Sequence, residues 1–499
     1  MLEFILALSG IIIPRFFTAL YGSSVNGLVS SVSQFITYMS LVEAGIGAAG
    51  LVALYGPLAR RDNGSISAIV SAARQFYMRS GWIFVALVAL LIGFYPVIVQ
   101  NEIADASFVR MMIFILSING IVDYFFLGKY RVLLQADQRG YVIYNAQIIG
   151  TVIMTVVSIV LIDLEVSALL VKAVAAAIYI LRSIIVAIYV RRKYPEVDFR
   201  AKPDTASFSQ RWSALLHQVV GMIVNNASII LITLLVPVNA LAEVSVFSVY
   251  NLVAYALFTM LNSIGNGIRA SFGQVMANGE TEVLKKSYST YEYVFFMMAF
   301  FCYICMGVLL YPFIGLYCAE FADSEIYLRW SLVILFTLVS FWQTFRIPAQ
   351  TIIVGAGHFK QTQGRAIAEA AINLSVSLAL VRFLGVVGVL IGMLASFIYR
   401  AVDMTLYANK YFLPKTLKKT VSRFVRNTLL AAVLVFGGVT VLPMQMDSWF
   451  TWALCAVGFA AVTGVAVLLV NFLFERDEFA ACIGRAKEMF GRKIKKEGE

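Results

Sequence analysis

Apolar runs about 20 residues long, the length with which an α-helix crosses ~30 Å of hydrocarbon, recur from one end of this chain to the other. They are not gathered into one core-sized region. The chain is 61% hydrophobic and 13% charged, roughly half the charged share of an ordinary soluble domain, and its mean hydropathy is +0.84. Backbone groups in lipid must be paired within the chain, and the period-two alternation of a transmembrane barrel is missing. The sequence therefore predicts an all-α polytopic membrane protein. About fourteen spans are expected, near 1–20, 26–55, 81–99, 107–130, 142–162, 167–190, 213–236, 243–272, 291–316, 326–354, 364–384, 386–407, 427–443 and 449–474. No cleavable signal-peptide pattern precedes the first.

Lysine and arginine set the orientation. One set of alternate loops carries Arg60, Arg61, Arg74 and Arg79; Lys129, Arg131 and Arg139; Arg191, Arg192, Lys193, Arg200, Lys202 and Arg211. It continues with Lys285, Lys286, Lys360, Arg365, Lys410, Lys415, Lys418, Lys419, Arg423 and Arg426. The other loops ("QNEIADAS", "DLEVS", "PVNALAE", "CAEFADSE") hold almost none, with Arg382 the exception and Arg110 and Arg329 just inside their spans. The basic set is expected in the cytoplasm of a cell membrane, with both termini. This asymmetry accounts for much of the +11 net charge, so the charge calls for no nucleic acid.

The chain also repeats. A shift of 220 residues lays "TYMSLVEAGIGAAGL" (37–51) over "LFTMLNSIGNGIRAS" (257–271), matching Gly45 to Gly265 and Gly47 to Gly267. The same shift lays "LLQADQRGY" (133–141) over "IVGAGHFKQ" (353–361) and pairs Arg110 with Trp330 at equivalent span starts. Spans 1–6 and 7–12 read as two copies of one unit. An even span number inserts both copies the same way round, which implies a pseudo-two-fold axis along the membrane normal and a cavity between lobes. The expected division is an N-terminal lobe over 1–194, a cytoplasmic linker over 195–212, a C-terminal lobe over 213–410, spans 13 and 14 over 411–474, and a cytoplasmic tail over 475–499.

One stretch, "IIIPRFFTALYGSSVNGLVSSVSQFITYMSLVEAGIGAAGLVALYGPLA" (11–59), resembles the N-terminal signature of the polysaccharide-exporter family, the Wzx-type oligosaccharide flippases. Those belong to one superfamily with multidrug MATE exporters and lipid II flippases. The resemblance is strongest over residues 10–80 and extends, as hydropathy and repeat plan, over most of the chain. It implies a MATE-like fold of two six-helix lobes plus two extra C-terminal helices. It implies a monomer that moves an undecaprenyl-diphosphate-linked oligosaccharide between leaflets, with a polysaccharide polymerase and glycosyltransferases as partners. By the 220 shift, the counterpart of the start of span 7 (near Ser213) falls before residue 1, where family members carry a longer first span.

Such a cargo presents a diphosphate, a hydroxyl-rich head and an apolar tail. Arginine offers the diphosphate a planar fork, and the head needs a wet lining of amides, hydroxyls and aromatic faces. In span 8, Asn251, Tyr255, Thr259, Asn262, Asn266 and Arg269 fall within a stripe about 80° wide on a helical wheel. His217, Gly221, Asn225 and Ser228 do so in span 7, and Ser33, Thr37, Ser40, Glu43 and Gly47 in span 2. Small and polar residues also glue helices together. In the superfamily's arrangement, however, these spans and span 1 face the centre. The expected lining is Arg15, Glu43, His217, Asn225, Asn262, Asn266 and Arg269, with Asp123, Lys172 and Arg346 in a second tier. Glu43 is expected to pair with Arg15 or Arg269, its neighbouring glycines letting helices approach or marking a bend. Arg182, Glu369, Arg400 and Asp403 are further intramembrane ionisable residues.

Other chemistries lack their residues. There is no GxxxxGK[ST], HExxH or GxSxG. Cys302 and Cys305, one helical turn apart in an apolar span, read as packing, and "GVLIG" (388–392) as packing within a lobe. No cofactor or metal is expected; coupling to protons or sodium ions is left open. A membrane-embedded glycosyltransferase or polymerase should carry a long outward loop with paired carboxylates, and these loops are short. A MATE-type cation exporter should line its cavity with acids. Lipid II makes the same demand for cations as any other diphosphate-linked cargo and stays an alternative.

Overall fold

A computed structural model describes residues 2–43, 45–206, 222, 226–480 and 482. Among these every regular element is a helix. In chain order they are α1 (Leu2–Tyr21), α2 (Ser23–Met39), α3 (Ile46–Arg60), α4 (Asn63–Val99), α5 (Ala106–Val122), α6 (Gly128–Ala136), α7 (Gly140–Asp163) and α8 (Ala168–Lys193). They continue with α9 (Asn226–Leu235), α10 (Ala240–Ala277), α11 (Thr281–Tyr317), α12 (Trp330–Phe345), α13 (Ile347–Gly355), α14 (Phe359–Leu384), α15 (Val386–Tyr411), α16 (Leu417–Val441) and α17 (Trp449–Phe474).

Eleven segments among the described residues are long and apolar enough to cross a membrane. Of the three remaining expected spans, span 1 is the helix α1, span 2 is split into α2 and α3, and span 7 is described only over α9 and Met222. The repeat is visible in the element order. The starts of α2 and α10, α4 and α11, α7 and α14, and α8 and α15 are separated by 217, 218, 219 and 218 residues. Spans 4 and 10 are both interrupted at corresponding depths. A π-helical turn (Asp123–Leu127) divides α5 from α6, and Arg346 divides α12 from α13. Spans 2 and 8 differ: α10 runs unbroken through Gly265 and Gly267.

The chain divides into two compact units. The first comprises residues 1–252 with 321–323 and 381–386; the second comprises 253–320, 324–380 and 387–499. Within the first, Ser31 hydrogen-bonds Thr233 at 2.7 Å and Asn26 donates to Ser245 at 2.7 Å. In the second, α14 and α15 meet at Gly392, where a Cβ would lie 2.1 Å from Ser377 Oγ. The GxxxG motif thus packs two helices of one unit.

Spans 13 and 14, α16 and α17, are tied to α11 by a buried ion network. The Arg423 side chain, 1% exposed, donates to Glu292 Oε2 at 2.9 Å, to the Ser289 carbonyl at 3.0 Å and to Glu475 Oε2 at 2.6 Å. Thr420 donates to Glu292 Oε1 at 2.8 Å, and Arg426 donates to Glu475 Oε1 at 2.9 Å. Phe424 adds apolar contact against Trp342 and Phe345, with ring centroids 5.4 and 5.2 Å apart. The guanidinium is matched on every side, as burial of a charge requires.

Candidate functional site

The break in span 2 organises the polar centre of the first unit. After α2 the chain tightens into a 3-10 turn over Ser40–Glu43, and Gly45 takes the left-handed conformation (φ 87°) before α3 begins. A side chain there would be strained, so glycine is required. A broken helix exposes carbonyls that hydrocarbon cannot satisfy, and such backbone survives at membrane depth only where protein groups pair it. They do so here. Tyr124 of the π-helical turn donates to the Ser40 carbonyl at 2.9 Å, and Ser80 of α4 donates to the Val42 carbonyl at 3.1 Å.

Facing this break, the π-helical turn of span 4 begins at Asp123. Asp123 Oδ1 accepts the Tyr179 hydroxyl at 2.6 Å and lies 2.9 Å from Arg131 Nη2. The charges acting on the Glu43 carboxylate are those of Arg131 and Asp123. Glu43 also acts on the phenol of Tyr77, whose ring lies against α6 so closely that a Cβ on Gly128 would be 2.7 Å from it. Asp123 thus pairs with the Arg131 guanidinium among three tyrosines, and the Glu43 carboxylate feels the same charge from farther away. Asp123 is held by two donors, while no side chain among the described residues hydrogen-bonds Glu43. Arg182 stands over the Tyr179 ring, 4.2 Å from its centroid, so the cluster gathers two carboxylates, two guanidinia and three phenols beside backbone released from its helix.

Besides the expected partners Arg15 and Arg269, Glu43 has a cation the sequence reading placed among the loop charges: Arg131 acts on its carboxylate. Arg131 looked like an orienting loop charge because the apolar run ends just before it, yet α6 carries the helix on to Ala136. The uncompensated Asp123 was the signal that a cation had to lie within reach. Arg15 follows Pro14 inside α1 and is partly buried. Lys172 stands apart from the cluster, with its ammonium 4.3 Å from the centroid of the Phe17 ring. His217 and Asn225 lie outside the described residues.

The second unit holds the remaining expected residues in two groups. On α10, Asn266 is exposed and accepts from Arg269 Nη2 at 2.8 Å, while Asn262 and Arg269 are part-buried. The same helix packs through Gly265, where a Cβ would lie 2.6 Å from Ile347. Arg346, at the break in span 10, meets Glu369 of α14 at 2.5 Å. Glu369 also faces Arg400 Nε of α15 at 3.3 Å, and Arg400 Nη1 lies 3.0 Å from Asp403 Oδ2. Arg365 completes the chain at Asp403. Sequence reading named these ionisable residues singly; the fold joins spans 10, 11 and 12 through them.

Interrupted spans, repeated in order and carrying charge at the interruptions, define a class: an all-α polytopic membrane protein built of two repeats. Solved structures bear the same fold. The lipid II flippase MurJ in an inward closed conformation matches with a TM-score of 0.68 and 14% identity, covering 95% of this chain and 98% of that one. An inward-facing multidrug resistance MATE family transporter of the MOP superfamily matches at 0.58 and 14%, covering 84% and 96%. The eukaryotic MATE transporter AtDTX14 matches at 0.51 and 15%, covering 85% and 98%. At such identities the likeness is one of fold. No protein-family model matches the sequence, and no curated protein does.

Proposed function

We propose that this protein is a flippase that carries an undecaprenyl-diphosphate-linked oligosaccharide across the cytoplasmic membrane for surface polysaccharide synthesis. The observation that carries the reading is the fold shared over 95% of the chain with a lipid II flippase. The intramembrane cations Arg15 and Arg269 support an anionic cargo: Arg269, whose Nη2 donates to Asn266, carries the planar fork that a diphosphate needs. The Glu43–Asp123–Arg131 cluster supplies the coupling site, taking up a proton or a sodium ion as the spans rearrange. Both termini face the cytoplasm, the protein works as a monomer, and a polymerase and glycosyltransferases supply and consume its cargo. External labelling of a cysteine placed at Asp204 would overturn that orientation.

The test is reconstitution. Proteoliposomes should move a labelled lipid-diphosphate oligosaccharide to the opposite leaflet faster than protein-free liposomes. Equal movement of lipid II would favour the second reading, a lipid II flippase, which the MurJ likeness also supports. Transport of organic cations, with no lipid-linked glycan moved, would overturn both in favour of a MATE-type exporter.

A further inference from the structure

The chain that leaves α8 is laid along the first half of α4. The Asp198 N–H donates to Ser67 Oγ at 3.0 Å, Ser71 Oγ donates to the Ala201 carbonyl at 2.6 Å, and the Asp204 N–H donates to the Ala68 carbonyl at 3.1 Å. These bonds fix Phe199 between them. Its ring meets Tyr130 of α6 edge-on, with centroids 5.2 Å apart, and its carbonyl accepts from Arg74 Nη1 of α4 at 3.5 Å. The Lys129 ammonium stands 5.0 Å from the centroid of that same Tyr130 ring. Arg200 follows Phe199 directly. Arg74 and Lys129 therefore meet one aromatic pair, and the charge of the exposed Arg200 acts on Lys129 beside it.

None of Arg74, Lys129 and Arg200 sits in an ion pair among the described residues. The charges acting on Lys129 are those of Arg74, Arg191 and Arg200, all positive. The acids of the same segment bond neutral groups: Glu196 accepts from Asn63, Asp198 Oδ1 accepts the backbone N–H of Arg200 at 2.8 Å, and Asp204 Oδ1 accepts the Ala206 N–H at 3.1 Å. Gathering like charges is unfavourable unless a counter-charge joins them. Arg74 and Lys129 lie on helices that are long and apolar enough to cross the membrane, towards the ends that lead into the basic loops.

We propose that Arg74, Lys129 and Arg200, floored by Tyr130 and Phe199, form a binding site for the phosphate of an anionic phospholipid headgroup. The site is separate from Glu43 and Arg269 and does not rest on the flippase reading. A soluble phosphate would satisfy the same nitrogens; the commitment to lipid comes from Arg74 and Lys129 lying on helices of membrane-crossing length and apolarity.

The test uses the whole purified chain in nanodiscs of phosphatidylcholine with and without phosphatidylglycerol, with retained lipid read by native mass spectrometry. Phosphatidylglycerol should be retained in preference to phosphatidylcholine. Each of Arg74→Gln, Lys129→Gln and Arg200→Gln should weaken retention about fivefold, the equivalent of about 1 kcal/mol for a cation at the membrane surface. Lys418→Gln, an exposed cation on another helix, should leave it unchanged. Arg200 is exposed, so its variant reports on binding even if the other two fold poorly. Equal retention by wild type and Arg200→Gln would overturn the site. Displacement of the lipid by millimolar inorganic phosphate would mark a small-anion site and overturn the lipid assignment.

Discussion

The hydroxyl of Tyr124 donates to the carbonyl oxygen of Ser40 across 2.9 Å, joining span 4 to the interrupted turn of span 2. That bond, with the matching one from Ser80 to Val42, lets a helix open in the first unit where no water would otherwise pair its backbone. The opening delivers Glu43 to the company of Arg131 and Asp123.

Removing the donor tests this directly. Tyr124→Phe leaves the Ser40 carbonyl without its partner and should cost about 1–3 kcal/mol, the penalty for a buried acceptor left unpaired. A lowered thermal midpoint in detergent is expected. A midpoint equal to wild type would show that the break does not depend on this bond.

Glu43 and Asp123 should behave differently although both are carboxylates in spans. Asp123 lies 2.9 Å from Arg131, so Asp123→Asn leaves that guanidinium poorly compensated and should cost roughly 3–5 kcal/mol, seen as lost protein. Glu43 receives no hydrogen bond from a side chain among the described residues, so Glu43→Gln should leave expression normal and slow transport. Expression and transport measured together on both variants separate the roles. Collapse of Glu43→Gln would make Glu43 structural; normal transport by Glu43→Gln would remove it from coupling.

For Arg269 the order of substitutions carries the information. Arg269→Ala should abolish or strongly impair translocation while the protein still inserts, and Arg269→Lys should keep part of the activity, since a lysine retains the charge without the two-pronged fork. Wild-type surface polysaccharide in cells holding only Arg269→Ala, at normal expression, would show the residue to be dispensable.

The attachment of spans 13 and 14 should depend on pH in one direction. Burial pushes the Glu475 carboxyl up, but Arg423 and Arg426 outweigh it and hold the group below the ordinary carboxylate range. A carboxylate lowered in the fold contributes stability above its unfolded value, about 4.3, and loses it as pH falls towards the folded value. The stability gap between wild type and Glu475→Gln should therefore stay level from neutral pH down to that range and narrow below it. A gap that closes already between pH 7 and pH 6 would contradict this.

Much of the fold can be read along the chain because the signals are local. Hydropathy run length marks the spans, and the 220-residue shift anticipates the repeated element order with its observed spacing of 217–219 residues. Gly45 announces a bend, since a left-handed residue between two helices is most easily a glycine. Charge pairing is not local. Arg131 follows Asp123 by only eight residues, yet the π-helical turn between them sets how their side chains meet. Glu369 is shared by Arg346 and Arg400, residues on two other spans. Run length counts what one helix must bury from water. Which carbonyl may stay open and which cation stands beside which acid are decided by neighbouring helices, because in hydrocarbon every polar group takes its partner from whatever protein surface is packed against it.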